Sequence, residues 1–409
     1  MPRPYSNVRI LFVAPYVPSR IRVRPYQVVR ELGLRHEVTV LATASSQELE
    51  DVSALTGLCQ RVELVPLRRG RIIRSCLEAP LHREPFQAAY CRSPELRARL
   101  WQLLVDGQFD VVHVEHLRAA HLLDQLVGHP VVYDAVDSIS LLLRRTLRGS
   151  HSWMQRLVAL VELARTRAYE RRILERVGVL TVTSHDDASA LRALRPRHGG
   201  RIEVVPNGVD LAYFHPIEGP VDRSTIVLSG KMSYHANVTA ALYFVREVFP
   251  RVRARHPEAR LRIVGSAPPT ELLNLARTPA IEVTGYLADI RPAIASGAVA
   301  VCPVTVKVGI QNKILEAMAL GVPVVSTAAG AVGLNTRFGT DMLIGRDSDE
   351  LAQHISAVLG DDSLRRRLAL AGRQYVEAHH RWSTVADTFE ALYKIARPHR
   401  GSFSAPSLG

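Results

Sequence analysis

The chain has 409 residues, 47% of them hydrophobic and 22% charged, and carries a net charge of +13. One hydrophobic core seldom serves a chain of this length, so two domains are expected, and the ordinary globular composition excludes a disordered protein. The positive excess favours anionic partners, although lysine stands only at Lys231, Lys307, Lys313 and Lys394, and a codon bias towards arginine would give the same skew. No zinc-finger or RNA-binding pattern accompanies the charge, so phosphorylated small molecules or an acidic membrane surface are expected in preference to nucleic acid.

Cys59, Cys76, Cys91 and Cys302 show no C-x-x-C spacing and no secretory signal precedes them, so neither disulfides nor a zinc site are expected. No stretch reaches the ~18 apolar residues of a membrane span. A cytoplasmic protein is expected, at most peripheral on the inner face of a membrane.

In chain order, β-branched runs predict strands at 8–16 ("VRILFVAPY"), 36–43, 62–67, 109–115 ("FDVVHVE"), 130–135, 177–184 and 202–207. A second series follows at 225–232 ("TIVLSGKM"), 260–266, 281–287, 299–304, 322–327 and 341–345. Continuous apolar strands alternating with helical segments predict parallel sheets covered on both faces. Two doubly wound α/β domains follow, with ligands beyond the carboxyl ends of the strands. Between the series, "VPNGVDLAYFHP" (205–216) is either a turn-rich linker or an ordinary surface turn; Asn207 and Gly208 tolerate positive φ there. The last helix, about 383–396, sets Val385, Phe389, Leu392 and Ile395 at helical spacing. A disordered tail is expected from 398 to 409.

Three familiar signatures are missing. "APYVPSRIRVRPY" follows the first strand where a dinucleotide fold would carry G-x-G-x-x-G. "SGKMS" (229–233) imitates a P-loop, but Thr225 occupies the place of its first glycine. No G-x-S-x-G elbow occurs either.

"VGIQNKILEAMALGVPVVST" (308–327) is more informative. A helix over 311–320 puts Lys313 and Glu316 on one face and turns Ile314, Leu315 and Met318 to the sheet. Val308, Gly309 and Ile310 then stand at its N-terminus, where unpaired N–H groups and the helix dipole receive an anion. Lys313 adds a mobile positive charge. Glu316 is unsuited to phosphate but suited to the two hydroxyls of a ribose, and diphosphate with ribose describes a sugar nucleotide. The plainer alternative is a solvated Lys–Glu pair that stabilises the helix by ~0.3 kcal/mol.

These residues, with "VPNGVD", "RLRIVGS", "VTGYLADIRPAIASGAVAVCP" and "ILFVAPYVPSRIRVRPYQVVREL", resemble the family 4 retaining glycosyltransferases, over about residues 8–396 and in the family's order. The resemblance implies the GT-B fold: two Rossmann-like domains facing a cleft and a last helix crossing back to the first. It implies an acceptor-side domain over 1–206, a nucleotide-sugar domain over 207–382 and the crossing helix over 383–397. Glu316 matches the second carboxylate of the family's E-x7-E element, while Val308 stands where the first should be. The sub-pattern G-x-x-x-K-x-x-E, here Gly309, Lys313 and Glu316, also occurs among relatives, especially sugar transferases of surface-polysaccharide pathways. Gly230 and Lys231 match the diphosphate-binding place, and the backbone at Tyr286 and Leu287 matches the base contact. A surface lysine is the alternative for Lys231.

On the acceptor side, the family often carries a histidine beyond the strand that ends "HVEH", and His116 is better placed than His113; a structural histidine is the alternative for either. Arg22 and Arg24 fall in a loop that the family uses to line its cleft, and Asp134 and Asp137 end another strand. The arginines of 165–176 form either a solvated helix face or a membrane-facing one.

The resemblance implies a hexosyltransferase-type enzyme of polysaccharide, glycolipid or other glycoconjugate biosynthesis. It would use a nucleotide diphosphate sugar as donor, a sugar, lipid-linked or small-molecule acceptor, no metal and no nucleic acid. His116, Lys231 and Lys313 would assist the reaction. A GT-B epimerase or hydrolase, which would use the same donor pocket without an acceptor, is one alternative, and a non-catalytic sugar-nucleotide binder, raised by Val308, is another.

Overall fold

The computed structural model describes residues 7–45, 48, 50–149, 153–197, 199–306, 309–396 and 398. The chain divides into two units, one formed by residues up to Pro206 together with those from Trp382 onwards, the other by Asn207–Arg381.

The first unit is built on seven parallel strands: β1 (Arg9–Ala14), β2 (Glu37–Ala44), β3 (Arg61–Pro66), β4 (Val111–Glu115), β5 (Val131–Val136), β6 (Val179–Val182) and β7 (Arg201–Val204), in the order β3-β2-β1-β4-β5-β6-β7. Ile10 to Val13 pair with β2 on one side and β4 on the other. They are apolar throughout because helices cover both faces, and no residue of the strand can turn to water. Connections leave β1 and β4 towards opposite edges, so the crevice of the doubly wound sheet opens at their carboxyl ends.

The helix Trp382–Ile395 closes one face of this sheet. Its Val385, Phe389 and Leu392 are buried beside Ile10, Phe12 and Val29. Ile395 is instead 40% exposed, and Tyr393 and Ala396 pack in the core cluster. Tyr393 carries a polar tip that the core satisfies, its hydroxyl lying 2.9 Å from His113 Nδ1. Beyond the helix only Pro398 is described, bridging Pro130; the remainder of the predicted tail lies outside the described residues.

The second unit holds β8 (Asp222–Ser229), β9 (Arg260–Val264), β10 (Ile281–Val283), β11 (Gly297–Cys302), β12 (Val324–Thr327) and β13 (Leu343–Gly345) in the parallel order β10-β9-β8-β11-β12-β13. Its switch point lies between β8 and β11. The segment predicted as a linker is packed into this unit. Val209 N–H donates to the His380 carbonyl at 2.8 Å, and the Asn207 carbonyl lies 2.6 Å from His380 Nδ1. Neither Asn207 nor Gly208 takes a positive φ, because these bonds hold the backbone extended instead of turning it. Among the described residues no helix is long and apolar enough to cross a membrane.

Phe389→Ala removes a fully buried ring between the closing helix and the sheet and is expected to destabilise the first unit by about 3–5 kcal/mol. Urea denaturation reads this as an earlier midpoint; a wild-type midpoint would show that the helix contributes little.

Candidate active site

The carboxyl ends of β8 and β11 gather most of the nucleotide-side candidates. Gly230 follows β8 with φ +146, and a Cβ there would come within 2.9 Å of Asn237 Nδ2 and 3.1 Å of Lys313 Nζ. Only glycine leaves room for that approach and adopts that backbone. Lys313 Nζ donates to Asn237 Oδ1 at 2.6 Å, and Asn237 Nδ2 donates to the Lys231 carbonyl at 2.9 Å. Asn237 thus ties the Lys313 ammonium to the Lys231 backbone, beside Gly230.

This arrangement decides the reading of Lys313 and Glu316. The helix runs Asn312–Ala319, with Ile314, Leu315 and Met318 buried. Lys313 is spent on Asn237, and among the described residues no ion pair joins it to Glu316. Burial pushes the Glu316 carboxyl up to about 7, against the lowering influence of Lys313. Burial also lowers the Lys313 ammonium, offset by Cys302 and Glu316. A helix-stabilising pair would instead lie in solvent and touch.

Gln311 stands at the N-cap, where its side chain makes no capping hydrogen bond to the helix. Ile310 is anchored in the core and Gly309 has φ +21. Val308 lies outside the described residues. Lys231 is exposed. Tyr286 and Leu287 follow edge strand β10: Tyr286 is 78% exposed, and Leu287 packs on the core cluster that also holds Ile310 and Ile314. Their backbone follows Gly285, at φ +70.

The acceptor-side candidates stand at the carboxyl ends of β1, β4 and β5, but they divide into two kinds. Arg24 is buried and donates from Nε to Asp134 Oδ2 at 2.8 Å and from Nη2 to Oδ1 at 3.3 Å. Thr181 Oγ1 and the Val136 N–H also donate to Asp134. Despite burial, Arg24 keeps the Asp134 carboxyl below its usual range. These two residues are committed to one another, which corrects their expected place on the surface that meets an acceptor: a paired charge inside the unit has no free valence for a ligand. Asp137 is partly exposed, accepts from Thr183 Oγ1 at 3.1 Å, and is pushed up to about 6 by burial and by Asp187. Arg22 is exposed, with its guanidinium 4.5 Å from the Tyr16 ring centroid.

His116, the residue after β4, and Val136, the last of the adjacent β5, are in the left-handed region, at φ 67 and 65. Such conformations cost on the order of 1–3 kcal/mol and concentrate where a site demands them. The Arg118 N–H donates to His116 Nδ1 at 3.2 Å. Burial, with Arg118 and Arg22, pushes the imidazole down to about 3. His116 is therefore neutral at physiological pH, and with Nδ1 accepting, Nε2 carries the proton. His113 instead stacks on Phe12 and belongs to the core.

Two residues join the site without having been assigned to it from sequence. Asn237 is the bridge between the β8 loop and Lys313. Glu115, the last residue of β4, is 1% exposed; among the described residues no side chain or backbone group meets its carboxyl oxygens with hydrogen-bond geometry, and the Tyr16 hydroxyl is the near polar group that bears on it. Burial pushes it up to about 8, with Asp134 adding to the rise and Arg24 opposing it. A carboxyl ending the apolar strand "VVHVE" was the available signal.

Residues 22–213 match the family described as Glycosyltransferase Family 4, and residues 223–361 match Glycosyl transferases group 1. The MMP alpha-(1->4)-mannosyltransferase of Mycolicibacterium hassiacum is 29% identical over 307 residues, 71% of each chain. The phosphatidyl-myo-inositol mannosyltransferase of Mycobacterium leprae is 24% identical over 95% of this chain and 96% of its own. In fold, the chain is similar to sucrose-phosphate synthase from Thermosynechococcus elongatus, with a TM-score of 0.67 at 16% identity over 95% of this chain and 99% of the other.

Glu115 has an ordinary pKa of 4.5 and a folded one of about 8, so its contribution to stability is full below pH 4.5 and is lost as pH rises through 8. Glu115→Gln keeps the shape without the ionisation. It is expected to raise the melting temperature at about pH 9 and leave it unchanged at about pH 4; an equal effect at both would show that Glu115 is not the titrating group.

Proposed function

Because the chain belongs to the family 4 glycosyltransferases of the GT-B fold, we propose that it moves a hexosyl group from a nucleoside diphosphate sugar to an acceptor hydroxyl with retention of configuration. One observation carries the donor half of this reading: Lys313 is bonded to Asn237 beside Gly230, and among the described residues no ion pair holds the Glu316 carboxyl one turn along the same helix. The diphosphate would lie against the helix N-terminus at Gly309 and Ile310, and Lys313 and Lys231 would neutralise it. Glu316 would accept the ribose hydroxyls, and the backbone at Tyr286 and Leu287 would meet the base.

In the transition state negative charge grows on the leaving diphosphate and positive character on the anomeric carbon, so electrostatic preorganisation carries the catalysis. Two lysines and a helix dipole at the leaving group support donor binding without a metal. The leaving phosphate oxygen would take the acceptor proton on the same face, so no protein nucleophile is required. His116, neutral and protonated at Nε2, would donate a hydrogen bond to a sugar hydroxyl. Glu115, neutral at pH 7, would act as a second donor beside it and not as a base. A chain with these relatives is better described as a transferase than as an epimerase, hydrolase or inert binder.

The name of the mycobacterial phosphatidyl-myo-inositol mannosyltransferase supports a lipid-linked acceptor. So does the helix Trp153–Arg176, which exposes Trp153, Met154, Leu157, Val158, Leu160 and Val161 in its first half. These residues support peripheral contact with a membrane surface.

Calorimetry with UDP, GDP, ADP, CDP and dTDP tests the donor site. Glu316→Ala is expected to weaken the preferred diphosphate by about 1–3 kcal/mol; unchanged affinity would remove the ribose from Glu316. The wild-type affinity is expected to rise with pH through about 7, as the Glu316 carboxyl ionises, and to be flat in Glu316→Gln. Lys313→Ala is expected to lower kcat by about 10²-fold or more, as for other groups that stabilise developing charge; an unchanged kcat with a lowered melting temperature would assign the lysine to the scaffold.

A further inference from the structure

A second basic feature of the first unit has no part in this reaction. A pocket of about 440 Å3 is lined by His82, Arg83, Arg167, Arg171 and Arg172, and no carboxylate lines it. None of these residues belongs to the group around Tyr16, Glu115 and His116. Arginines just outside the pocket are neutralised: Arg165 pairs with Glu162 at 3.3 Å, Arg176 with Asp124 at 2.8 Å and Arg195 with Glu175 at 2.6 Å. Glu84, next in sequence to Arg83, is turned to Arg92 at 3.3 Å. Among the described residues Arg83, Arg167 and Arg171 have no such partner.

The geometry is held in place. Arg167 and Arg171 are four residues apart on the helix Trp153–Arg176, so their like charges lie on one face and repel. Arg83 has φ 53, a strained value for a side-chain-bearing residue. Its carbonyl accepts from Arg172 Nη2 at 3.3 Å, and the same guanidinium lies 5.2 Å from the Tyr169 ring centroid. Arg172 thus braces the loop that brings Arg83 to the helix. Repulsion between like guanidiniums held on one face is relieved by a ligand with at least two negative charges, and planar N–H forks match phosphate oxygens.

We propose that this pocket binds a phosphoryl group, as a diphosphate or as a phosphate on a small polar group, independently of the donor site. Two sources share that chemistry, a free phosphate and a lipid headgroup. The second gains weight from Trp153, Leu157 and Leu160, exposed on the helix face that continues to Arg167 and Arg171 at alternating three- and four-residue steps.

The test compares the intact chain with Arg167→Ala/Arg171→Ala, whose two sites are exposed and whose melting temperature is expected to be unchanged. Arg366→Ala/Arg367→Ala removes the same charge from the second unit and serves as control. Titration with inorganic pyrophosphate is expected to show one more bound equivalent in the wild type and the control than in the pocket variant. Sedimentation with phosphatidic acid–phosphatidylcholine vesicles, against phosphatidylcholine alone, examines the lipid source. Pyrophosphate binding weakened tenfold or more in the pocket variant alone assigns a soluble ligand. Silent pyrophosphate with vesicle binding lost in that variant alone assigns a headgroup. Binding of neither probe, or equal losses in variant and control, overturns the site.

Discussion

The central strands of a parallel sheet covered on both faces leave little room for charge, and the middle of each sheet in this protein is correspondingly apolar. Apolar side chains fill β1 and β11 along most of their length, and in β8 they form the run Ile226–Leu228 just before its carboxyl end. Polar groups are therefore pressed to the carboxyl edges, where the chain leaves the sheet and the switch points open. The chemistry of each unit stands there for the same reason: Gly230, Lys231 and Lys313 in the second, and Glu115, His116 and Asp134 in the first.

Within the first unit, the Arg24–Asp134 pair sets the electrostatics of that edge. It anchors the helix Val23–Gly33 to β5, and the Arg24 guanidinium also lies 5.7 Å from the Phe389 ring of the closing helix. Asp134 stays ionised because Arg24 is beside it. Its negative charge then adds to the desolvation that keeps Glu115 protonated. His116 is driven the other way by burial and two arginines. The result is an edge with two neutral groups that can donate hydrogen bonds, suited to hydroxyl-rich ligands. The second unit is arranged differently, with a cationic lysine bonded to an amide and a carboxyl left over.

Much of this was legible in the residues. The two strand series, the burial of Ile314, Leu315 and Met318, and the core positions Val385, Phe389 and Leu392 all follow from periodicity, because local spacing decides which side of an element faces the sheet. The boundary between the units does fall in the 205–216 segment, but the bond from the Asn207 carbonyl to His380 that packs it into the second unit joins residues far apart in sequence, and Ile395, read as a core position, is 40% exposed.

The sequence alone determined two parallel-sheet units, the order of their elements, and the Gly309, Lys313 and Glu316 pattern at a helix start; these depend on short-range spacing and on family likeness. Tertiary structure alone decided what each polar group is bonded to. Lys313 and Glu316 are three residues apart, yet the lysine bonds Asn237, 76 residues away. Arg24 is consumed by Asp134 across 110 residues. Hydrogen bonds and protonation states depend on which groups meet when the chain is folded, and a spacing of three or four residues says nothing about a partner brought in from another strand.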